Sequence, residues 1–153
     1  MTTTLTFACA LGCGINAGVF YAFSTFVMPG LGRLPAPGGT AAMQSINVTA
    51  VRPPFMAAFI GTALLCIAAV VVAATGVREA GWLLAGALLY LIGTFGVTMV
   101  FNVPRNNALA AAAMDAPETA ELWERYLQEW TGWNHVRTVA ALAGAGAFTA
   151  WLT

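Results

Sequence analysis

The chain has 153 residues, of which 59% are hydrophobic and 8% are charged, and its mean hydropathy is +0.78. About 25% of residues are charged in an ordinary soluble domain, so the composition excludes that class and predicts an integral membrane protein. Six arginines balance six acidic residues. This neutral net charge gives no electrostatic basis for binding nucleic acid.

The apolar segments predict one transmembrane domain over residues 1–153, an all-α four-helix bundle with spans at about 5–28, 53–75, 82–101 and 133–152. Met28-Pro29-Gly30 is expected to end the first span, and Asn102 to Arg105 the third, because proline breaks helices. Gly86 and Gly93 in the third span suit close helix packing. We expect a multi-pass protein of a bacterial plasma membrane.

Short interfacial helices are expected in both long connections between spans. The first covers about Thr40 to Thr49, and the second resumes near Asn106 and runs to Met114. Asp115 is a candidate cap for the helix that follows. This helix leads into the last span.

The last connection carries an aromatic stripe. At helical spacing, one face holds the residues Trp123, Tyr126, Trp130, Trp133, Asn134 and Arg137. The opposite face is charged. This pattern predicts a helix with one buried aromatic face, although tryptophan and tyrosine at a membrane surface also serve as interfacial anchors.

Polar residues from distant parts of the chain converge on one predicted membrane face. They are Asn16, Asn47, Arg52, Asn102, Arg105, Asn106, Asn107, Asn134, His135 and Arg137. Amide and guanidinium donors at the aromatic mouth of a bundle suit a flat, oxygenated, largely apolar ligand. Such a mouth is our candidate site.

Several of these residues also have a structural interpretation. Asn16, near the middle of a span, either lines the pocket or holds two helices together. Arg105 and Arg137 could pair with Glu129 or Asp115, and His135 could be an interfacial residue. Cysteines 9, 13 and 66 are interpreted as packing residues, and no metal site is predicted.

Four segments together resemble the anthrone oxygenase-like family of small four-span membrane proteins. They are Ala17–Phe20, Met28–Leu31, Asn102–Leu109 and Trp130–Arg137. The resemblance implies an oxygenase that needs no cofactor and converts a polyketide anthrone into an anthraquinone with O2. The anthrone loses a proton beside its carbonyl system, and the carbanion reacts with O2.

The resemblance also suggests residue roles. His135 would be the base, with donors for the developing oxyanion from Asn102, Asn106 and Asn134. Arg105 and Arg137 would stabilise the anion. The ligand-binding residues would be Asn16, Phe20, Asn47, Asn106, Trp130 and Trp133, some of which would stack on the rings.

The competing hypothesis is a non-catalytic membrane binding or assembly subunit whose asparagine, tryptophan and arginine residues only hold loops and helices. Its glycine-rich spans would favour contacts between copies of the chain. An enzyme predicts a cavity lined by Asn102, Asn134 and Arg137, whereas a structural role predicts that these groups satisfy one another. A transporter is disfavoured, because the spans carry no central charge or repeat.

Overall fold

In the computed structural model, which describes residues 2–113, 116 and 118–153, the chain forms five helices. They are α1 (Thr2–Leu31), α2 (Ala36–Ala50), α3 (Pro53–Ala74), α4 (Ala80–Ala110) and α5 (Glu118–Leu152). The described residues contain no strand, which confirms the all-α prediction. The predicted helix cap at Asp115 lies outside the described residues.

Three helices, α1, α3 and α4, are long and apolar enough to cross a membrane. This confirms the prediction of a membrane protein. Helix α5 has 35 residues, a length of roughly 50 Å against a hydrocarbon core of about 30 Å. Its first half is rich in charged residues, and the predicted fourth span at 133–152 stays a prediction.

The four long helices pack as a bundle. Helix α1 contacts α3 and α5, and α4 contacts the same two helices. The core between them contains Phe59, Tyr90, Phe148 and three free, buried cysteines. Apolar packing is therefore the environment of all three thiols, as expected from the sequence.

The predicted helix break at Asn102 to Arg105 is wrong, whereas the predicted end of α1 at Met28-Pro29-Gly30 is one residue short of the observed end. Helix α1 continues through Pro29 to Leu31, and α4 continues through Pro104 to Ala110. Each proline comes just after a π-helical segment, Phe23–Val27 in α1 and Thr98–Asn102 in α4. A proline ring clashes with the carbonyl four residues earlier in a regular α-helix, and the wider π-helical turn relieves that clash.

The two long connections meet at one end of the bundle, called the loop end below. Helix α2 matches the predicted helix of the first connection, whereas the helix predicted near Asn106 is the last part of α4. Gln44 Nε2 in α2 donates to the Leu109 carbonyl at 2.7 Å. Met43, Leu109 and Trp123 belong to one buried cluster there.

Close packing of α4 on α5 depends on Gly93. A Cβ atom added at Gly93 would lie 2.6 Å from the Ala140 Cβ, while one added at Gly146 would have no neighbour within 4 Å. We expect Gly93→Ala to lower the free energy of unfolding by about 1–3 kcal/mol through overpacking. Gly146→Ala should be neutral or slightly stabilising, because alanine favours helix.

Thermal unfolding of the two variants in the same detergent, followed by circular dichroism, measures this difference. Equal melting temperatures for both variants would contradict the proposed contact.

Candidate functional site

A cavity of about 220 Å³ lies at the loop end of the bundle, and all five helices contribute to its walls. Most of its lining is apolar or aromatic. Helix α2 covers it with Met43, Ile46, Asn47 and Ala50, whose spacing places them on one helical face. Helix α2 therefore forms one wall of the cavity.

The cavity reaches the protein surface through an apolar rim. Val51, just after α2, is 68% exposed, and Met99 in α4 is 43% exposed. Both residues also line the cavity. An apolar molecule can therefore approach the cavity from the side of the bundle.

Arg137 is the charged residue of this cavity. It is only 5% exposed, and its guanidinium carbon lies 4.2 Å from the Phe20 ring centroid and 4.7 Å from that of Trp130. Contacts of this kind stabilise a cation through the electron-rich ring faces. The aromatic rings thus hold the guanidinium plane between α1 and α5.

Hydrogen bonds satisfy only part of the Arg137 guanidinium. Its Nε donates to Asn134 Oδ1 at 2.8 Å, and its Nη1 donates to Thr98 Oγ1 at 3.4 Å. Within the described residues, ion pairs join only Arg78 to Glu79 and Arg105 to Glu129. No described carboxylate therefore neutralises the buried charge of Arg137, although it lines the cavity.

Asn134 fixes the direction of Arg137 from behind the cavity wall. Its Nδ2 donates to the Phe20 carbonyl and to Ser24 Oγ, both at 2.7 Å. Its Oδ1 accepts from Arg137. Asn134 is buried and does not line the cavity, so it orients the guanidinium and ties α5 to α1.

Asn106 forms a second polar corner of the cavity. Its Oδ1 accepts from the Tyr126 hydroxyl at 2.8 Å and from Trp130 Nε1 at 2.7 Å. Burial raises the pKa of the Tyr126 phenol, against smaller lowering effects from Asn47 and from the charge of Arg137. Tyr126 therefore stays protonated and remains a donor.

Two other predicted asparagines hold helices together. Asn102 Nδ2 donates to the Trp130 carbonyl at 3.2 Å. Asn16 Nδ2 donates to the Ala58 carbonyl and to Thr62 Oγ1, both at 3.3 Å. Neither side chain lines the cavity. Of the two alternatives for Asn16, the structure therefore shows the one in which it holds two helices together.

Three further predicted residues also lie outside the cavity. The exposed His135 has its Nδ1 2.9 Å from Ser24 Oγ. Arg105 pairs with Glu129 at 2.8 Å and donates to the Phe101 carbonyl. Trp133 stacks on Phe101 with a centroid separation of 3.6 Å.

The structure thus brings five of the eleven predicted site residues together in one cavity. The cavity is lined by Phe20, Asn47, Asn106, Trp130 and Arg137. Of the three residues that the enzyme hypothesis placed around a cavity, only Arg137 lines the one found, whereas Asn102 and Asn134 make helix contacts, as the structural hypothesis predicts. Residues of the same sequence motifs therefore divide between the cavity wall and the contacts between helices.

Sequence reasoning missed Ser24 and Thr98, which contact Asn134 and Arg137. A hydroxyl residue inside an apolar helix is the signal that could have identified them. The missed aromatic residues Phe23, Phe55 and Phe59 complete the cavity wall. Phenylalanine in a membrane helix is too common to stand out.

A metal site is not found at this cavity. No group of three histidine, cysteine, aspartate or glutamate side chains able to hold a metal ion occurs within residues 2–113, 116 and 118–153. The polar groups that the cavity offers are instead amides, a hydroxyl, an indole and a guanidinium. These groups bind oxygen atoms and anions.

Comparison with known proteins gives a single finding. No curated protein and no solved structure matches this chain. The family model described as anthrone oxygenase matches residues 55–147, more than half of the chain, including most of α3, all of α4 and the Trp130–Arg137 motif. The chain therefore belongs to the anthrone oxygenase family.

Proposed function

We propose that the protein is a membrane-embedded oxygenase that needs no cofactor and acts with O2 on an anthrone-like or other flat aromatic polyketide substrate. Membership of the anthrone oxygenase family supports an oxygenase role. The observation that carries the proposal is the buried guanidinium of Arg137, which has no carboxylate partner among the described residues and lines an aromatic cavity.

An unpaired buried cation favours an anionic ligand. Moving a charge out of water is costly, and an opposite charge nearby offsets part of that cost. An anthrone becomes an anion when it loses a proton from the methylene group opposite its carbonyl. The negative charge then concentrates on the former carbonyl oxygen, where a guanidinium can bind it.

The walls of the cavity suit the rest of such a ligand. Phe20, Phe59 and Trp130 give the cavity an aromatic, apolar lining, which suits a ligand made of fused aromatic rings. The apolar rim at Val51 and Met99 admits a molecule of low polarity. A small hydrophilic anion would gain little from these surfaces.

The proposed reaction balances without a further oxidant. The substrate anion transfers an electron to O2, and the resulting radicals combine to form a peroxide on the former methylene carbon. Loss of water from this peroxide cleaves the O–O bond. One oxygen atom stays as the new carbonyl of the anthraquinone, and the other leaves as water with the two hydrogens of the methylene group.

Arg137 would contribute by stabilising the negative oxygen, which makes the substrate a stronger acid. Asn134 acts as a positioning residue, because its Oδ1 holds Arg137 Nε at 2.8 Å. The proton that the substrate methylene group loses passes to water at the open rim of the cavity. The base role suggested for His135 stays a prediction, and its exposed imidazole would need a water molecule to reach a ligand in the cavity.

The alternative of a non-catalytic binding subunit is favoured by one observation. Asn16, Asn102 and Asn134 all donate to backbone carbonyls of neighbouring helices. Such a subunit would bind a flat aromatic anion in the cavity without consuming O2. Oxygen uptake therefore separates the two functions.

Replacing Arg137 tests the proposal directly. We expect the purified wild-type protein to consume O2 with anthrone, and Arg137→Met to lower kcat by about 100-fold to 1,000-fold, the usual effect of removing one oxyanion donor. Methionine keeps much of the volume and removes an unpaired buried charge, so the variant should fold. An oxygen electrode gives the rate, and anthraquinone absorbance gives the product.

The matched control is Arg125→Met, which makes the same change at an exposed position of the same helix. Its rate should stay within about twofold of the wild-type rate, since surface substitutions have small effects. Equal rates for the two variants, or no O2 uptake by the wild type, would overturn the proposal.

His135→Gln tests the route of the proton. We expect its kcat to fall less than about tenfold, because the imidazole lies outside the cavity and glutamine can still bond to Ser24. A positioned general base contributes about 100-fold to 10,000-fold. A loss of that size in steady-state O2 uptake would show that His135 takes the proton.

A further inference from the structure

Asn47 carries a buried hydrogen-bond donor that the proposed reaction leaves unused. Its Nδ2 is buried and bonds to no described residue, and Asn47 lines the cavity. The other buried side-chain atoms without a partner in the described part of the chain are Asn16 Oδ1, Thr40 Oγ1, Asn102 Oδ1 and Thr131 Oγ1. None of those four residues lines the cavity.

The position of Asn47 is fixed by its own helix. Gln44, three residues earlier, donates to the Leu109 carbonyl, and Met43 is buried in the cluster beneath α2. Residues separated by three or four positions lie on the same helical face. The contacts of Gln44 and Met43 therefore hold Asn47 against the cavity.

The Asn47 amide approaches one protein acceptor, the Tyr126 hydroxyl oxygen, and thereby lowers the pKa of that phenol. This contact does not have the geometry of a hydrogen bond, so Asn47 Nδ2 stays without a partner among the described residues. That hydroxyl donates its own proton to Asn106 Oδ1, which also accepts from Trp130. A buried donor without an acceptor lowers an equilibrium constant by about tenfold to 100-fold relative to a paired one.

From this arrangement we infer that Asn47 binds a second oxygen atom of the ligand, separate from the anionic oxygen at Arg137. A hydroxyl or carbonyl oxygen on the aromatic framework is the chemistry that this donor recognises. The substrate class is then a flat aromatic molecule with at least two oxygen functions. The inference rests on the proposed function for the identity of the framework, but the Asn47 contact concerns binding alone.

Selectivity arises because an analogue without the second oxygen leaves the donor unpaired in the complex. Sites built to bond an oxygen function reject analogues that lack it far more strongly than apolar pockets reject a missing methylene. Asn47 is therefore a specificity-determining residue, whereas Arg137 supplies the interaction that any anthrone anion shares.

Equilibrium binding to a set of ligands tests the inference. The probes are anthrone and the series of anthrones that carry one hydroxyl group at each ring position. Their Kd values are measured on the whole protein in detergent micelles, under argon to prevent turnover. We expect at least one hydroxylated isomer to bind the wild type ten times or more tightly than anthrone.

Asn47→Leu should remove this gain and bind anthrone at least as tightly as the wild type does, since leucine has a similar size and leaves no donor unpaired. Asn47→Ala gives the same comparison with a smaller side chain, should the leucine variant fail to fold. Ser45→Ala, on the exposed side of α2, is the matched control and should keep the gain.

The inference is overturned when no isomer gains affinity, or when the gain survives in the Asn47 variants. A parallel weakening of all ligands by both variants also overturns it, because Asn47 would then only support Tyr126. O2 uptake measured on the same samples separates the two proposals. O2 uptake without selective binding of a hydroxylated anthrone overturns only the Asn47 inference. Selective binding without O2 uptake overturns only the proposed oxygenase function. Failure of every ligand to bind overturns both.

Discussion

The structure depends on one buried positive charge in a bundle made almost entirely of apolar side chains. Arg137 is almost fully buried and forms no ion pair with a described carboxylate. The Phe20 and Trp130 rings stabilise its guanidinium by about 0.5–2 kcal/mol each. That compensation is smaller than the several kcal/mol that desolvation of an ion costs. The contacts from the described residues therefore offset only part of the cost of burying this charge, at a position that lines the cavity.

The surrounding helices are organised to keep that charge in place. The short amide of Asn134 reaches both α1 and Arg137, so the distance between α1 and α5 and the direction of the guanidinium are set together. Thr98 reaches the same guanidinium from a π-helical segment of α4. Such segments occur often at functional sites, because the extra residue turns side chains away from the regular helical positions. Here a π-helical segment also lets α4 continue through Pro104.

Composition and periodicity were enough to predict the helical bundle and the end of it that carries the site. Trp123, Tyr126 and Trp130 are buried on one face of α5, as the spacing indicates. Sequence reasoning wrongly ended a helix just before Pro104, because proline rules assume regular α-helical geometry. Whether a proline ends a helix or follows a π-helical segment depends on tertiary contacts, and these are not visible in a local pattern.

For a related reason, the sequence could not show which polar residues line the cavity and which hold helices together. In an apolar bundle an asparagine is favourable wherever it satisfies a backbone group, so Asn102 and Asn47 look equivalent in the sequence. Their surroundings differ: Asn102 Nδ2 donates to the Trp130 carbonyl, while Asn47 lines the cavity and its Nδ2 has no hydrogen-bond partner among the described residues. Asn102 and Asn134 donate to backbone carbonyls of adjacent helices, whereas Arg137, on the same helix as Asn134, lines the cavity. Motifs of this composition therefore combine residues that hold helices together with residues that line the cavity, and only the packed structure separates them.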